Sequence, residues 1–368
     1  MAAPKKIPSL QELIAVLIQA HLPVLMWGEP GTGKTKWAES LAKALEAHIE
    51  TLIASIREPS DFGGLPVVID GKGVVLETPA WAKKLMAAQV AMLFLDETTT
   101  APPSVQAALL RVVLERVVGD TRMPDSVMVL AGANPPDQAA GGWALSPPMA
   151  NRFVHFKWNV NHDDWVKGMN DGWPVPKVDR LPKDWKTVHL PLAVALVTAF
   201  IRHRPTLLQQ FPGNETERGG AWPSCRTWDY AATALGACMA VNYDWSAAVE
   251  GCVGSGAALE FQTWHKNLDL PDPEEVLSEP GRFEVFERQD KLYAALSSIT
   301  AAFAANPSEP RWNALWACYG KVIDAKKTDV VIVPAKTIVH FYFQQRYPLP
   351  PQAKDILPLF QKAKIQMR

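Results

Sequence analysis

No stretch of the sequence approaches the ~18 consecutive apolar residues that a membrane-spanning helix needs. No C-x-x-C pair occurs among its four cysteines, Cys225, Cys238, Cys252 and Cys318, so neither a zinc knuckle nor a redox couple is indicated. Charge of either sign is not in excess. The net charge of -1 announces neither a nucleic-acid partner nor a basic one. The start, Met1-Ala2-Ala3-Pro4-Lys5-Lys6, leads into an amphipathic segment rather than a secretory apolar core. These absences predict a cytoplasmic protein with reduced thiols and no membrane or nucleic-acid partner. What is abundant is core material. Of 368 residues, 48% are hydrophobic and 14 are Trp. At roughly 150 residues per domain that length allows two domains or three.

The most informative stretch is Gly28-Glu29-Pro30-Gly31-Thr32-Gly33-Lys34-Thr35, which reads G-x-x-x-x-G-K-[ST], the phosphate-binding loop of a nucleotidase. An apolar run, Pro23 to Trp27, precedes it at strand length, and Lys36 to Leu45 follows with helical spacing. The glycines let the backbone wrap a phosphate chain without Cβ clashes. Amides at the helix start and the helix dipole then attract negative charge. Lys34 would reach the β- and γ-phosphates, and the Thr35 hydroxyl would ligate Mg²⁺. The competing reading is a chance glycine-rich turn.

Along the chain, Ser9 to Ala20 predicts a helix opened by a Ser9/Glu12 capping box and placed at the sheet edge. Thr51 to Ile56 reads as a second strand. Val67 to Asp70 and Val74 to Glu77, around Gly71-Lys72-Gly73, predict a hairpin that a sheet does not need; a short helix, Pro79 to Ala88, follows. Val90 to Leu95 is an apolar strand ending in Asp96-Glu97. An acid at this position holds Mg²⁺ in P-loop enzymes, and a carboxylate beside it can act as general base on water. Asp96 is assigned the metal and Glu97 the water; the alternative is an acidic helix cap. Ser104 to Val118 predicts a helix, followed by a small hairpin or turn. Val127 to Gly132 is another strand, and Asn134 at its tip can orient water near the γ-phosphate or form an Asx turn before proline. Spacing alone does not distinguish Arg152 from other arginines. Strand–helix alternation argues for a parallel sheet covered on both faces.

This order of parts resembles the MoxR-like AAA+ ATPases, of the helix-2-insert type and akin to the dynein-related group. The stretches that carry the likeness are the phosphate loop, Ser60 to Gly64, Leu95-Asp96-Glu97, Ala101 to Leu110, Glu115-Arg116 and Leu145 to Phe153, spanning about residues 20 to 155. The resemblance implies ATP and Mg²⁺ as cofactors. It implies Asn134 as the sensor-1 residue, and Arg152 as an arginine finger inserted into a neighbouring subunit's ATP. That in turn implies a homo-oligomeric ring, hexameric in such families. The Val67 to Leu76 hairpin would be the insert that faces the pore or a partner. The family's D-E-x-N-R run is replaced by Asp96-Glu97-Thr98-Thr99-Thr100. Further on, Pro223-Ser224-Cys225-Arg226 stands where such proteins open a lid helix with Pro-Ser-Pro-Arg, so Arg226 corresponds to the sensor-2 arginine that reaches ATP. Cys225 in place of proline predicts a less rigid helix start. A surface cation is the other reading of Arg226.

The expected fold is α/β: a P-loop AAA+ parallel sheet sandwiched by helices (1–158), an all-α lid (159–270) and a helical C-terminal extension (271–368). Asn159 to Lys186, Gln210 to Gly220 and Asn267 to Pro280 read as irregular connections. Helices are expected at 190–202, 228–240, 245–259, 290–305, 311–325, 335–343 and 353–364, and His340 reads as packed core. The function implied is Mg²⁺-dependent ATP hydrolysis that remodels or activates a client protein, with a von Willebrand factor A-domain protein as one partner such families use. Two other classes compete: a DNA-acting ring motor or loader, which the near-neutral charge disfavours, and a non-hydrolysing nucleotide-dependent scaffold, which the intact Lys34, Asp96, Glu97 and Arg152 disfavour.

Overall fold

The computed structural model describes residues 5–71, 73–135, 143–345, 347, 348, 350, 351, 353 and 356. The helix expected at 353–364 and the side chain of His340 lie outside the described residues. Among the described residues there are nine strands: β1 (Val24–Trp27), β2 (His48–Ile53), β3 (Leu65–Ile69), β4 (Gly73–Glu77), β5 (Ala91–Asp96), β6 (Val117–Val118), β7 (Thr121–Arg122), β8 (Val127–Ala133) and β9 (Val154–Lys157). The helices used below are α1 (Leu10–Gln19), α2 (Lys34–Ala44), α3 (Ala80–Ala87), α4 (Pro103–Leu110), α5 (Pro147–Ala150), α6 (His162–Asp171), α7 (Leu190–His203), α8 (Cys225–Ala240), α9 (Ser246–Val253), α10 (Ser255–Lys266), α11 (Pro273–Ser278), α12 (Gln289–Ala305), α13 (Glu309–Asp324), α14 (Thr328–Thr337) and α15 (Val339–Gln345).

Two compact units form: residues 1–182 with 207–258, and residues 183–206 with 259–368. α8 and α9 pack with the sheet unit, and α7 packs with the C-terminal helices.

In the first unit a five-stranded sheet runs β2-β5-β8-β1-β9, and every neighbouring pair is parallel. β5 is buried up to Leu95 and β8 along its whole length, the apolar run expected of strands covered on both faces. The α/β architecture read from the sequence is therefore present. β8 lies between β5 and β1, so the loops after β1, β5 and β8 open on one crevice at the carboxyl ends of the strands, where open α/β sheets bind ligands. α1 carries the expected Ser9/Glu12 box, but it packs on the inner strands β1 and β8 and on α8 rather than at the edge.

Several boundaries move for identifiable reasons. β2 ends at Ile53, not Ile56, because its register pairs Ile53 with Asp96, the last residue of β5; beyond it Ala54–Ile56 turn into a 3₁₀ helix. The helix expected to reach Val118 is regular only to Leu110. It widens into a π turn over Arg111–Glu115 and stops at Arg116, which is left-handed at φ 57°. Val117–Val118 are thereby released to pair with Thr121–Arg122. The 159–186 connection is not wholly irregular: it holds α6, whose first turn is capped by the Asn161 side chain accepting from Asp163 and Asp164. The 267–280 connection likewise holds α11, capped by Asp272. The single helix expected over 245–259 is two, α9 and α10, separated by Gly254 at φ +81°.

The expected β3–β4 hairpin forms, in register Val67↔Val75, with Leu65, Val68 and Val74 exposed. Its base is fastened to the β6–β7 turn: the Leu76 N–H donates to the Asp120 carboxylate at 2.8 Å, and the Thr78 and Thr121 hydroxyls meet at 2.7 Å. In the second unit α12 is the centre, packed by α7, α11, α13 and α14. Phe303, Trp312, Trp316 and Tyr319 fill its core, and the Tyr319 hydroxyl bonds Thr300 at 2.6 Å.

Candidate nucleotide site

The loop from Gly28 to Thr35 joins β1 to α2, as its flanks predict. Gly31 and Gly33 stand at φ +75° and +83°, and a Cβ on either would meet nothing; their role is conformational, and the space over the loop is open. Gly28 is different. A Cβ there would stand 2.7 Å from the Trp158 carbonyl, so glycine permits β9 to press on the loop. The Trp158 indole N–H also donates to the Thr32 carbonyl at 3.1 Å, and the Trp158 ring packs on Trp37.

Lys34 is 6% exposed. Its Nζ donates to the carbonyls of Gly28 (2.7 Å) and Glu29 (2.9 Å) and to Asn134 Oδ1 (3.2 Å). Burial pulls its pKa down, and the charges of Asp96 and Glu97 push it back up. A buried cation whose direct partners are neutral oxygens is the feature a phosphate would complete. Thr35 Oγ donates to Asp96 Oδ2 at 2.6 Å. Gly132 keeps this region open: a Cβ there would stand 3.0 Å from Asp96 Oδ1.

Glu97 follows at φ 54°, its N–H donating to Asp96 Oδ1 at 2.9 Å and its carboxylate accepting from the Ser55 hydroxyl. The three threonines that replace the family's run act as staples. Thr98 donates to the Gly132 carbonyl at 3.0 Å, Thr99 to the Asn134 carbonyl at 3.0 Å, and Thr100 back to the Glu97 carbonyl at 2.8 Å. Thr98 and Thr99 tie the acidic end of β5 to the tip of β8, and Thr100 closes the turn after Glu97.

Lys34, Thr35, Asp96, Glu97 and Asn134 thus converge at the crevice. Arg152 and Arg226 form a second group. Arg152 follows α5, donates to the Pro148 carbonyl at 2.6 Å, and has a buried Nε with no partner. Burial first, and then the charge of Arg226, lower its pKa. Arg226 donates to Asn151 Oδ1 at 3.2 Å, which also accepts from Ser224, while Asn151 Nδ2 is buried and unpartnered. The start of α8, at Cys225, carries a side-chain cap. Ser224 and Thr227 form a reciprocal capping box, both nearly fully buried. Cys225 is the exposed thiol of the four; the other three are buried.

Sequence reading missed Ser55, which it placed inside a strand, and it missed Gly132, Trp158 and His155. None belongs to a local motif; each reaches the site through register. Among the described residues no cluster of three or more His, Cys, Asp or Glu could hold a metal. The oxygen set at hand, Thr35 and Asp96, suits Mg²⁺, which takes one or two carboxylates and completes its shell with phosphate and water.

Residues 23–155 match the family model described as "ATPase family associated with various cellular activities (AAA)". That segment is similar to the ATPase domains of this family, in line with the resemblance read from the sequence. A solved structure of a protein from Cytophaga hutchinsonii, assigned as an ATPase, is 20% identical, with a TM-score of 0.44, covering 65% of this chain and 79% of that one. Nothing among the curated proteins matches the chain. No helix among the described residues is long and apolar enough to cross a membrane.

Proposed function

We propose that the protein assembles into a cytoplasmic ring of identical subunits, six by family resemblance, and hydrolyses ATP with Mg²⁺ to remodel or activate a protein client. A von Willebrand factor A-domain protein is the class of partner the resemblance suggests. The observation that carries the hydrolytic reading is the buried Lys34 ammonium, partnered by neutral oxygens and set beside Thr35–Asp96 and Glu97. Lys34 and the loop amides hold the β- and γ-phosphate oxygens. Thr35 and Asp96 would hold Mg²⁺, which would supply charge neutralisation to the phosphates. Glu97 takes a proton from the attacking water, and the Asn134 amide orients that water.

The case for a ring rests on the second group. Two guanidiniums that repel one another, beside a buried Arg152 Nε and Asn151 Nδ2 that lack partners, make a site suited to an anion. Arg226, assigned from sequence to ATP, is joined to Asn151 rather than to the Lys34 cradle. The reading that accounts for both arginines is that they meet the triphosphate of the adjacent subunit, where a finger in trans is worth roughly 10³–10⁵ in rate.

A mixing experiment tests this. Glu97→Gln and Arg152→Ala should each turn over ATP at a small fraction of the parent rate. Combined, they should regain activity, because a Glu97→Gln subunit can lend Arg152 to a neighbour that keeps Glu97. Mixtures as inactive as their components, or full activity of Arg152→Ala alone, would refute the ring mechanism. Glu97→Gln should also retain ATP, making it the bait for capturing the client.

A further inference from the structure

The inference rests on the proposed role of Arg152 in trans and concerns what holds that residue in place. Arg152 is the third residue of a tight turn, 150–153, closed by the Phe153 N–H donating to the Ala150 carbonyl at 3.1 Å. The same carbonyl lies 2.8 Å from His155 Nε2. On its other side the imidazole meets Trp27, whose indole Nε1 is 2.9 Å from His155 Nδ1, with the two rings nearly parallel at 14°. An indole N–H can only donate. Nδ1 must therefore accept, and the ring proton stays on Nε2, where it donates to Ala150. Burial holds the His155 pKa down at about 4, so the ring is neutral near pH 7 and both nitrogens are satisfied in one tautomer.

Both ends of this relay lie at functional segments. Trp27 is the residue before Gly28, and Ala150 anchors the turn that carries Arg152. The strand between them, β9, runs from that turn to Trp158, which bonds the Thr32 carbonyl inside the phosphate loop. One strand therefore starts at the finger and ends on the loop, with His155 bridging the same two segments through its ring.

We propose that His155 is a positioning residue that couples the phosphate loop of each subunit to the arginine which that subunit lends to its neighbour. A shift of Trp27 as the loop closes on phosphate is carried through a rigid ring to the Ala150 carbonyl. Breaking either bond would leave a polar group buried and unpaired, so the relay moves as a unit. Occupancy of one site is thereby read by the next site round the ring through a path inside a single chain.

The experiment is steady-state ATPase kinetics on the full-length assembled protein. His155→Phe keeps an aromatic ring against Trp27 and deletes both hydrogen bonds. His155→Gln restores an acceptor and a donor on one planar amide. We expect His155→Phe to lower kcat roughly 10- to 100-fold, since a misplacement of about 1 Å suffices, with KM for ATP unchanged. His155→Gln should regain most of the loss, and His155→Phe should cost nothing further in an Arg152→Ala background, as expected of residues acting through one another. Trp27→Phe, which removes the donor at the other end, should give the same pattern and serves if His155→Phe does not fold. Losses that multiply in the double variant, a change in KM instead of kcat, or no recovery with Gln would overturn the proposal and leave His155 a packing residue. Arg152→Ala at the parent rate would instead overturn the ring reading beneath it.

Discussion

At the scale of single residues the site contains a restraint that the motif does not announce. The Ser55 hydroxyl donates to the Glu97 carboxylate, and Glu97 itself is held left-handed at φ 54°, an arrangement that costs energy in a non-glycine residue and tends to occur where function needs it. A carboxylate engaged by a serine is less available as a base for water. Ser55→Ala should therefore raise basal ATP turnover severalfold with little change in KM; a fall in turnover would mean that the bond sets Glu97 in its working pose. In the second unit, Asp290 accepts from Arg288 and from the Trp264 indole, and these bonds outweigh burial and hold its pKa down at about 2. A lowered carboxylate pKa means stability that is present above its unfolded value near pH 4 and is lost as pH falls towards 2. Allowing for solvent screening, Asp290→Asn should cost about 1 kcal/mol at pH 7 and progressively less in acid, as read from urea midpoints at the two pH values.

At the scale of elements, helix α8 shows how one local device stands in for another. The family's second proline is absent, and the Ser224–Thr227 box holds the helix start. Ser224 also donates to Asn151, next to Arg152. Ser224→Ala should lower stability by about 1 kcal/mol through the lost cap, measurable by denaturant titration, and should lower ATP turnover as well. The break at Gly254 allows a sharper test: a Cβ there would stand 2.7 Å from the Ala221 carbonyl, on a backbone at φ +81°. Gly254→Ala should destabilise by about 1–3 kcal/mol, seen as a lower melting temperature. Elements were legible from sequence where the signal was local. The phosphate loop, the Ser9 cap and the β3–β4 hairpin each carry their determinants within ten or so residues. The ends of β2 and α4 were not, because register against β5 and the left-handed Arg116 decide them. Ser55, Trp158 and His155 were hidden for the same reason: each meets its partner only once the parallel strands are aligned.

For the whole molecule, the proposed ring predicts that ATP turnover per subunit falls steeply on dilution below the assembly concentration, since on that reading a lone subunit has Lys34, Asp96 and Glu97 but lacks a neighbour's Arg152. Activity followed over a dilution series beside light scattering checks this; a constant specific rate in the monomer range would contradict it. The sheet order β2-β5-β8-β1-β9 brings the three loops of the cradle together within one chain, which explains why that half of the site could be read from the sequence. In the proposed ring the other half comes from a neighbour's surface, and a single sequence does not say which surface faces which.

The exposure pattern of the thiols has a practical corollary. Burial raises the pKa of Cys238 to about 12 and of Cys318 to about 11, and that of Cys252 as well, while Cys225 alone is open to solvent, one residue before Arg226. A maleimide fluorophore added to the unaltered protein will label that position selectively. The natural chain is thereby equipped with its own optical gauge for whether the arginine pair stirs when nucleotide is added.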